Sequence, residues 1–166
     1  MAKGKSQFYG TAGVYYVAYC LSIRHHHAAI TLGNAPDVDI VVASGNGARL
    51  LSLQVKTRWS GCRCKWYGHD VWQWDAGAGA VGHHSPSFWY ALVDMREKEN
   101  ERPDVFLVPS IWVATTIGAD WTRKIYPLKT ACELLCRERW DWVKKFLEDD
   151  PAAMQWATTI PPEAQW

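Results

Sequence analysis

The segment that most constrains the fold spans residues 37–57 and reads DVDIVVASGNGARLLSLQVKT. Residues 39–43 and 49–57 are largely apolar, and residues 44–47 (SGNG) between them are turn formers. Gly and Asn favour the backbone conformations of a tight turn between two antiparallel strands. The segment therefore predicts a β-hairpin.

Three polar side chains interrupt this apolar hairpin. Asp39 opens the first strand, and Gln54 and Lys56 lie near the end of the second. Side chains two apart on a strand share a face, so Gln54 and Lys56 are predicted to point the same way. If the turn centres on Asn46, residue i lies opposite residue 92 − i, which places Asp39 opposite residue 53. The hairpin therefore predicts a carboxylate, an amide and an amine at one edge of a sheet.

The rest of the chain alternates apolar stretches with turn formers, which indicates a mixture of strands and helices. Helices are predicted over residues 9–24, 110–117 and 131–147. Strands are predicted over residues 28–32, 88–93 and 105–108, and a hairpin with a long loop over residues 58–87. This order predicts an α/β fold in which helices flank one small mixed sheet. Residues 1–150 are expected to form a single domain, followed by a loosely held tail over residues 151–166.

The charge of the chain is unevenly distributed, although the net charge is only +1. Residues 1–85 contain eight Lys or Arg and four Asp, which gives +4, and residues 86–166 give −3. A basic half is compatible with a polyanionic partner, and a solvated surface explains it equally well.

Tryptophan is unusually frequent, with 11 in 166 residues. Most of these side chains are expected in the core. The number exceeds what one core ordinarily needs, so some are predicted at a self-interface and a homodimer is expected.

Two negative features bear on location. The sequence has no run of 18 apolar residues, so no membrane span is expected. It contains five Cys, an odd number, and no recognisable secretion signal. Reduced thiols in a cytoplasmic protein fit this pattern best.

The polar side chains of the hairpin suit metal-dependent cleavage of a phosphodiester. Asp39 and the side-chain oxygen of Gln54 are hard ligands of the kind that Mg²⁺ prefers. Lys56 is placed to orient the attacking water or to stabilise charge that develops on the phosphate. A structural interpretation stays open, in which Asp39 caps its strand or pairs with Lys56. Asp37, two residues earlier, is the rival of Asp39 for the ligand position.

Asp39 followed by Gln54-Val55-Lys56 resembles the D-x(n)-(E/Q)-x-K signature of the PD-(D/E)xK nuclease superfamily. The order TLGNAPDVDIVV, LLSLQVKTRW, FWYALVDM and PDVFLVPSIWVA also resembles small bacterial endonuclease-like proteins, over about residues 10–118. The resemblance implies a restriction-endonuclease-like fold with an αβββαβ core in residues 1–150. It further implies DNA as the substrate, Mg²⁺ or Mn²⁺ as the cofactor, and Asp39, Gln54 and Lys56 as the catalytic residues.

The sequence departs from this family on the first helix. Relatives commonly carry a Glu there, directly after a Gly, whereas this chain has Val14 after Gly13 and no Glu before Glu97. Asp39 is then the one anionic ligand that the motif supplies, unless Asp70 or Asp75 contributes. The alternative function is therefore an inactive nuclease-fold module that binds nucleic acid or a protein.

A basic and aromatic stretch follows the hairpin. Arg58, Arg63 and Lys65 alternate there with Trp residues, a pattern typical of nucleic-acid contacts. A flap that covers the core explains the same stretch equally well.

Overall fold

The structure is a computed structural model that describes residues 3–31, 37–60, 62–96, 101–119 and 124–165. Its helices are α1 (Lys3–Ser22), α2 (Ser110–Ala119), α3 (Glu133–Cys136), α4 (Trp140–Leu147) and α5 (Pro151–Thr158). Its strands are β1 (His27–Ile30), β2 (Ile40–Ala43), β3 (Leu50–Arg58), β4 (Arg63–Trp66), β5 (His69–Asp75), β6 (Phe88–Asp94), β7 (Asp104–Pro109) and β8 (Ile125–Lys129). None of the helices described is long and apolar enough to cross a membrane.

The main sheet has five strands in the order β1-β2-β3-β6-β7. Strands β3 and β6 run parallel and the other neighbours are antiparallel, so the sheet is mixed, as the sequence predicted. All seven residues of β6 are buried, which is typical of a strand covered on both faces. The polar residues of β3 therefore lie beside a strand that is buried along its whole length.

A second sheet, in the order β4-β5-β8, was not predicted. The hairpin within residues 58–87 is present as β4 and β5, but β8, which pairs with β5, was not predicted. The reason is Pro127, because a Pro inside an apolar run argues against a strand. Strand β8 lies at the edge of its sheet, where a residue without an N–H is tolerated.

The two faces of the main sheet bury different clusters. On one face, here called the helical face, α1, α4 and α5 cover the β3 side chains Leu51, Leu53 and Val55. On the opposite face, called the sheet-covered face, the second sheet and α2 cover β6 and β7 side chains. Because side chains alternate along a strand, Gln54 and Lys56 belong to the sheet-covered face. The prediction that these two residues share a face is consistent with this packing.

Gly13 sets how closely α1 approaches the sheet. A Cβ placed at Gly13 would overlap Thr57 Oγ1 on β3 and lie 3.0 Å from Thr57 Cβ. Gly13 therefore allows the helix backbone to rest directly on the end of the strand that carries Lys56.

Most of the Trp residues that the structure describes pack in the core. Of those that the structure describes, none is among the exposed large side chains. Five are buried (Trp72, Trp74, Trp89, Trp112 and Trp140) and the others are partly buried. Two separate clusters use them, which explains why the chain holds more Trp than a single core needs.

The C-terminal third differs from the sequence prediction in two respects. The helix predicted over residues 131–147 is broken between α3 and α4, where Arg137 forms a bridge with Phe106 and its guanidinium pairs with Asp104. The tail is not loosely held, because Ala153 and Ala157 of α5 are fully buried in the helical-face cluster. Small apolar residues at a spacing of four form this buried stripe.

Candidate functional site

The hairpin holds Asp39 beside Gln54, because Asp39 is hydrogen-bonded to the residues on either side of Gln54 on β3. Strands β2 and β3 pair Ile40 with Leu53 and Ala43 with Leu50. Residue i therefore lies opposite residue 93 − i rather than 92 − i, because the turn is centred between Asn46 and Gly47. One step beyond the paired residues, the Asp39 N–H donates to the Leu53 carbonyl at 2.9 Å. The register of the paired strand residues differs from the predicted one by one residue. At Asp39 itself the hydrogen bond goes to Leu53, the residue predicted to lie opposite, and Gln54 is the next residue along β3.

The Asp39 carboxylate is fixed by the backbone of the neighbouring strand. Its Oδ2 accepts a hydrogen bond of 2.7 Å from the Val55 N–H. Its own carbonyl accepts from the Thr31 N–H at 3.0 Å, which ties it to the end of β1. Among the described residues, Asp39 Oδ1 has no hydrogen-bond partner. One oxygen therefore orients the group and the other is available to a ligand.

The Gln54 side chain is 92% buried and faces a second carboxylate. Its Nε2 donates to Asp37 Oδ1 at 3.4 Å, and its exposed fraction is 8%. With the amide in this orientation, Oε1 has no partner in the described ranges. The contact that the Gln54 amide makes is therefore with a carboxylate rather than with a backbone group of the sheet.

Lys56 is partly buried and does not pair with Asp39. No ion pair or hydrogen bond of its ammonium group is found within the part of the chain that the structure describes. The hairpin ion pair considered as a structural explanation is therefore absent there. A partly buried ammonium without a counter-ion is a donor available to an anionic ligand.

Val14 lies on α1 directly after Gly13, at the position where the sequence resemblance leads one to expect a Glu. Its side chain is partly buried and packs against the helical-face cluster. It extends the core and supplies no ligand atom.

The predicted DNA-contacting residues lie on the second sheet or tie it to the first. Arg58 donates to the Ser60 carbonyl at 2.8 Å and to the Gln73 carbonyl at 3.1 Å, so it anchors β5 to the end of β3. Lys65 pairs with Asp70 at 2.9 Å. Arg63 is exposed and stacks over the Trp72 ring.

The two additional carboxylates considered from the sequence are engaged elsewhere. Asp70 pairs with Lys65 across β4 and β5, and Asp75 Oδ1 accepts from the Gly77 N–H at 3.0 Å. Neither has a contact with Asp39 or Gln54 in the described structure.

Two residues that the sequence analysis did not single out lie beside the hairpin. Tyr90 is the partner of Gln54 on β6, is fully buried, and has a hydroxyl without a hydrogen-bond partner among the described residues. Burial raises the pKa of this phenol, and the nearby charge of Asp37 raises it further. His83 stacks on Phe88 with ring centroids 4.6 Å apart and places Nε2 3.5 Å from Asp37 Oδ2. The sequence did offer one signal for Tyr90, because it is the residue with a hydroxyl group inside the apolar run FWYALV.

The oxygen donors of this site match a hard cation better than a soft one. The described residues hold no group of three or more His, Cys, Asp or Glu arranged to bind a metal ion. Mg²⁺ does not require such a cage, because it keeps several waters and binds proteins through one or two carboxylates. The unpartnered oxygens of Asp39 and Gln54 fit that requirement, and Zn²⁺, which prefers four N or S ligands, is not matched.

Comparisons with known proteins show the fold. No family model matches the chain, and no curated protein matches it. Among solved structures, the chain is similar to the structure of a bacterial homing endonuclease, I-Ssp6803I, with a TM-score of 0.55 and 15% sequence identity. The match covers 89% of this chain and 98% of the other. The chain therefore shares the mixed α/β fold of that protein nearly end to end.

Proposed function

We propose that the chain is a metal-dependent DNA endonuclease of the PD-(D/E)xK type. The observation that carries this proposal is that Asp39 is bonded to both neighbours of Gln54 on β3, the Leu53 carbonyl and the Val55 N–H, with Lys56 on the face of Gln54 and free of any described counter-ion. The shared fold with a homing endonuclease supports it. That fold neighbour cleaves nucleic acid according to its name, and the proposal assigns the same class of reaction to this chain.

Each residue has a distinct part in this reaction. Asp39, held by the Val55 N–H, presents Oδ1, and Gln54 presents Oε1 from a buried position. A Mg²⁺ or Mn²⁺ ion held there would acidify water and neutralise charge on the scissile phosphate. Lys56 donates a hydrogen bond to the attacking water or to the phosphate oxygens, where negative charge accumulates in the transition state.

Cleavage of supercoiled plasmid tests the proposal. We expect nicking that requires Mg²⁺ or Mn²⁺, disappears in EDTA, and needs a high metal concentration. A high metal concentration is expected because a site with one motif carboxylate attracts a divalent cation only weakly. A mock purification from cells without the gene is the control. Nicking that is equal in EDTA, or no nicking in either metal, would rule out the enzymatic function.

A second candidate is an inactive nuclease-fold module that binds DNA. Val14 packing into the core at the position of the missing Glu favours it. Fluorescence anisotropy with a DNA duplex separates the candidates, since binding without cleavage is expected of the module alone. In both cases we expect Arg63→Ala to weaken DNA binding and to reduce the salt slope by about 1, because Arg63 is an exposed cation of the β4–β5 hairpin that, unlike Lys65, forms no ion pair among the described residues.

We further propose that the chain forms a homodimer through α1. Phe8, Tyr15, Tyr19 and Ile23, on or just beyond this helix, are between 50% and 76% exposed. Residues 6–23 contain no charged side chain, so a second copy can approach without like-charge repulsion. The Trp content, which prompted this prediction, does not support it.

Light scattering after gel filtration tests the homodimer. Wild type is expected at twice the chain mass and Tyr19→Glu at the chain mass, because a charge in an apolar interface is costly. Tyr67→Glu is a matched control, since Tyr67 is 72% exposed on the β4–β5 turn. A wild-type protein that stays monomeric at high concentration would contradict the proposed homodimer.

A further inference from the structure

We infer that Asp37 is a second carboxylate ligand of the metal site and takes the place of the Glu that α1 lacks. This inference rests on the proposed metal-dependent function. It concerns a residue that the nuclease signature does not assign, because the signature is satisfied by Asp39, Gln54 and Lys56 alone.

The position of Asp37 is the first argument. Its Oδ1 lies 3.4 Å from Nε2 of Gln54, the residue whose two neighbours on β3 are hydrogen-bonded to Asp39. Asp37 adopts a φ of 66°, in the left-handed region that Asp tolerates better than most residues. This backbone conformation turns the chain just before β2 and places both acids within one short segment.

Unpartnered buried atoms are the second and independent argument. The Tyr90 hydroxyl is fully buried, lies close enough to Asp37 to feel its charge, and has no described hydrogen-bond partner. Buried hydroxyl groups ordinarily find a partner, since leaving one unpaired costs about 1–3 kcal/mol. Gln54 Oε1, on a side chain 8% exposed, is likewise unpartnered among the described residues. An orphaned buried hydroxyl near a carboxylate indicates a bound polar ligand, such as a hydrated cation.

His83 holds the Asp37 carboxylate from the other side. Its Nε2 lies 3.5 Å from Asp37 Oδ2, and its ring is fixed by stacking on Phe88. Orientation of a ligating carboxylate by an outer residue is common at metal sites. His83 is therefore a positioning residue for Asp37 and not a ligand itself.

The charge of the site is the third argument. Asp39 alone gives one negative charge, the lower end of the one or two carboxylates that Mg²⁺ sites in proteins ordinarily use, and a second carboxylate would strengthen the attraction for a dication. Asp37 contacts Gln54, whereas Asp70 and Asp75 have no contact with it in the described structure. With Asp37 included, the donor set becomes two carboxylates and one amide oxygen.

Direct Mn²⁺ binding tests the inference without any activity measurement. The electron paramagnetic resonance signal of free Mn²⁺ is titrated with wild type, Asp37→Asn, Asp39→Asn and, as a matched control, Asp75→Asn. We expect Asp37→Asn and Asp39→Asn each to weaken Mn²⁺ binding at least about 10-fold, with Asp75→Asn unchanged, because loss of a coordinating carboxylate removes both a charge and a ligand. Gln54→Glu is expected to tighten Mn²⁺ binding, since the substitution adds a negative charge to the site.

The outcomes separate this inference from the proposed function. If Asp37→Asn binds Mn²⁺ as tightly as wild type while Asp39→Asn binds it more weakly, Asp37 is not a ligand. The proposed endonuclease function is not affected by that result. Weakened binding in Asp37→Asn together with no DNA cleavage by wild type supports the metal site and refutes the endonuclease. No Mn²⁺ binding by wild type refutes both. Thermal unfolding without metal should be the same for wild type and Asp37→Asn, and a lowered Tm would show a merely structural role.

Discussion

Replacing Lys56 with Met is expected to lower the rate of metal-dependent DNA cleavage about 10²–10³-fold, the usual cost of removing one donor aimed at developing charge. The ammonium group is partly buried, shares a face with Gln54 and has no described counter-ion, so no structural ion pair is lost. Asp39→Asn is expected to have an effect of similar size, because it removes the carboxylate fixed by Val55. Single-turnover cleavage at saturating Mn²⁺ measures both.

Matched controls isolate the site. Lys144→Met and Asp149→Asn alter side chains that are 67% and 81% exposed near the end of α4, and both should cleave like wild type. Lys56→Met should bind Mn²⁺ normally, whereas Asp39→Asn should not. Residual nicking at an identical rate in wild type and Lys56→Met would identify the nicking as contamination.

Gly13→Ala is expected to lower the free energy of unfolding by about 1–3 kcal/mol, the typical cost of overpacking. The added methyl group would overlap Thr57 Oγ1, and since Thr57 Cβ is also only 3.0 Å away, rotation of the Thr side chain does not relieve the contact. The helix must therefore move from the sheet. Urea unfolding measures the change as a lower midpoint at constant slope.

Gly10→Ala in the same helix is the control for Gly13→Ala. A Cβ at Gly10 meets nothing within 4 Å, so the substitution should stabilise the chain by about 0.5–1 kcal/mol through helix propensity alone. Equal stability of Gly13→Ala and wild type would show that α1 does not rest on β3 through this contact.

Local sequence patterns predicted the elements whose cause is local. The hairpin of β2 and β3 follows from its turn formers, and the shared face of Gln54 and Lys56 follows from strand alternation. The register was wrong by one residue because four turn formers do not fix the centre of a turn. The break before α4 was missed since it depends on Arg137 meeting Asp104, 33 residues earlier in the chain.

The surroundings of the site could not be predicted because distant segments form them. Tyr90 lies beside Gln54 only through the parallel pairing of β3 with β6, which no local pattern encodes. His83 reaches Asp37 through the 3-10 turn at Ala78–Gly82, inside a stretch interpreted from sequence as a loop. The sequence thus indicated the motif residues, and the long-range contacts supplied their neighbours.

The parallel pairing of β3 and β6 also bears on the order in which the molecule folds. Ser52 pairs with Phe88, so 36 residues separate the partners, whereas the β2–β3 hairpin joins residues close in sequence. Closing the longer loop costs more entropy, and contacts of high sequence separation form late and slowly. We expect the hairpin to form early with Asp39 already near Gln54, and the pocket beside Tyr90 to close only when β6 docks. Catalytic competence should therefore be the last property that a refolding chain acquires.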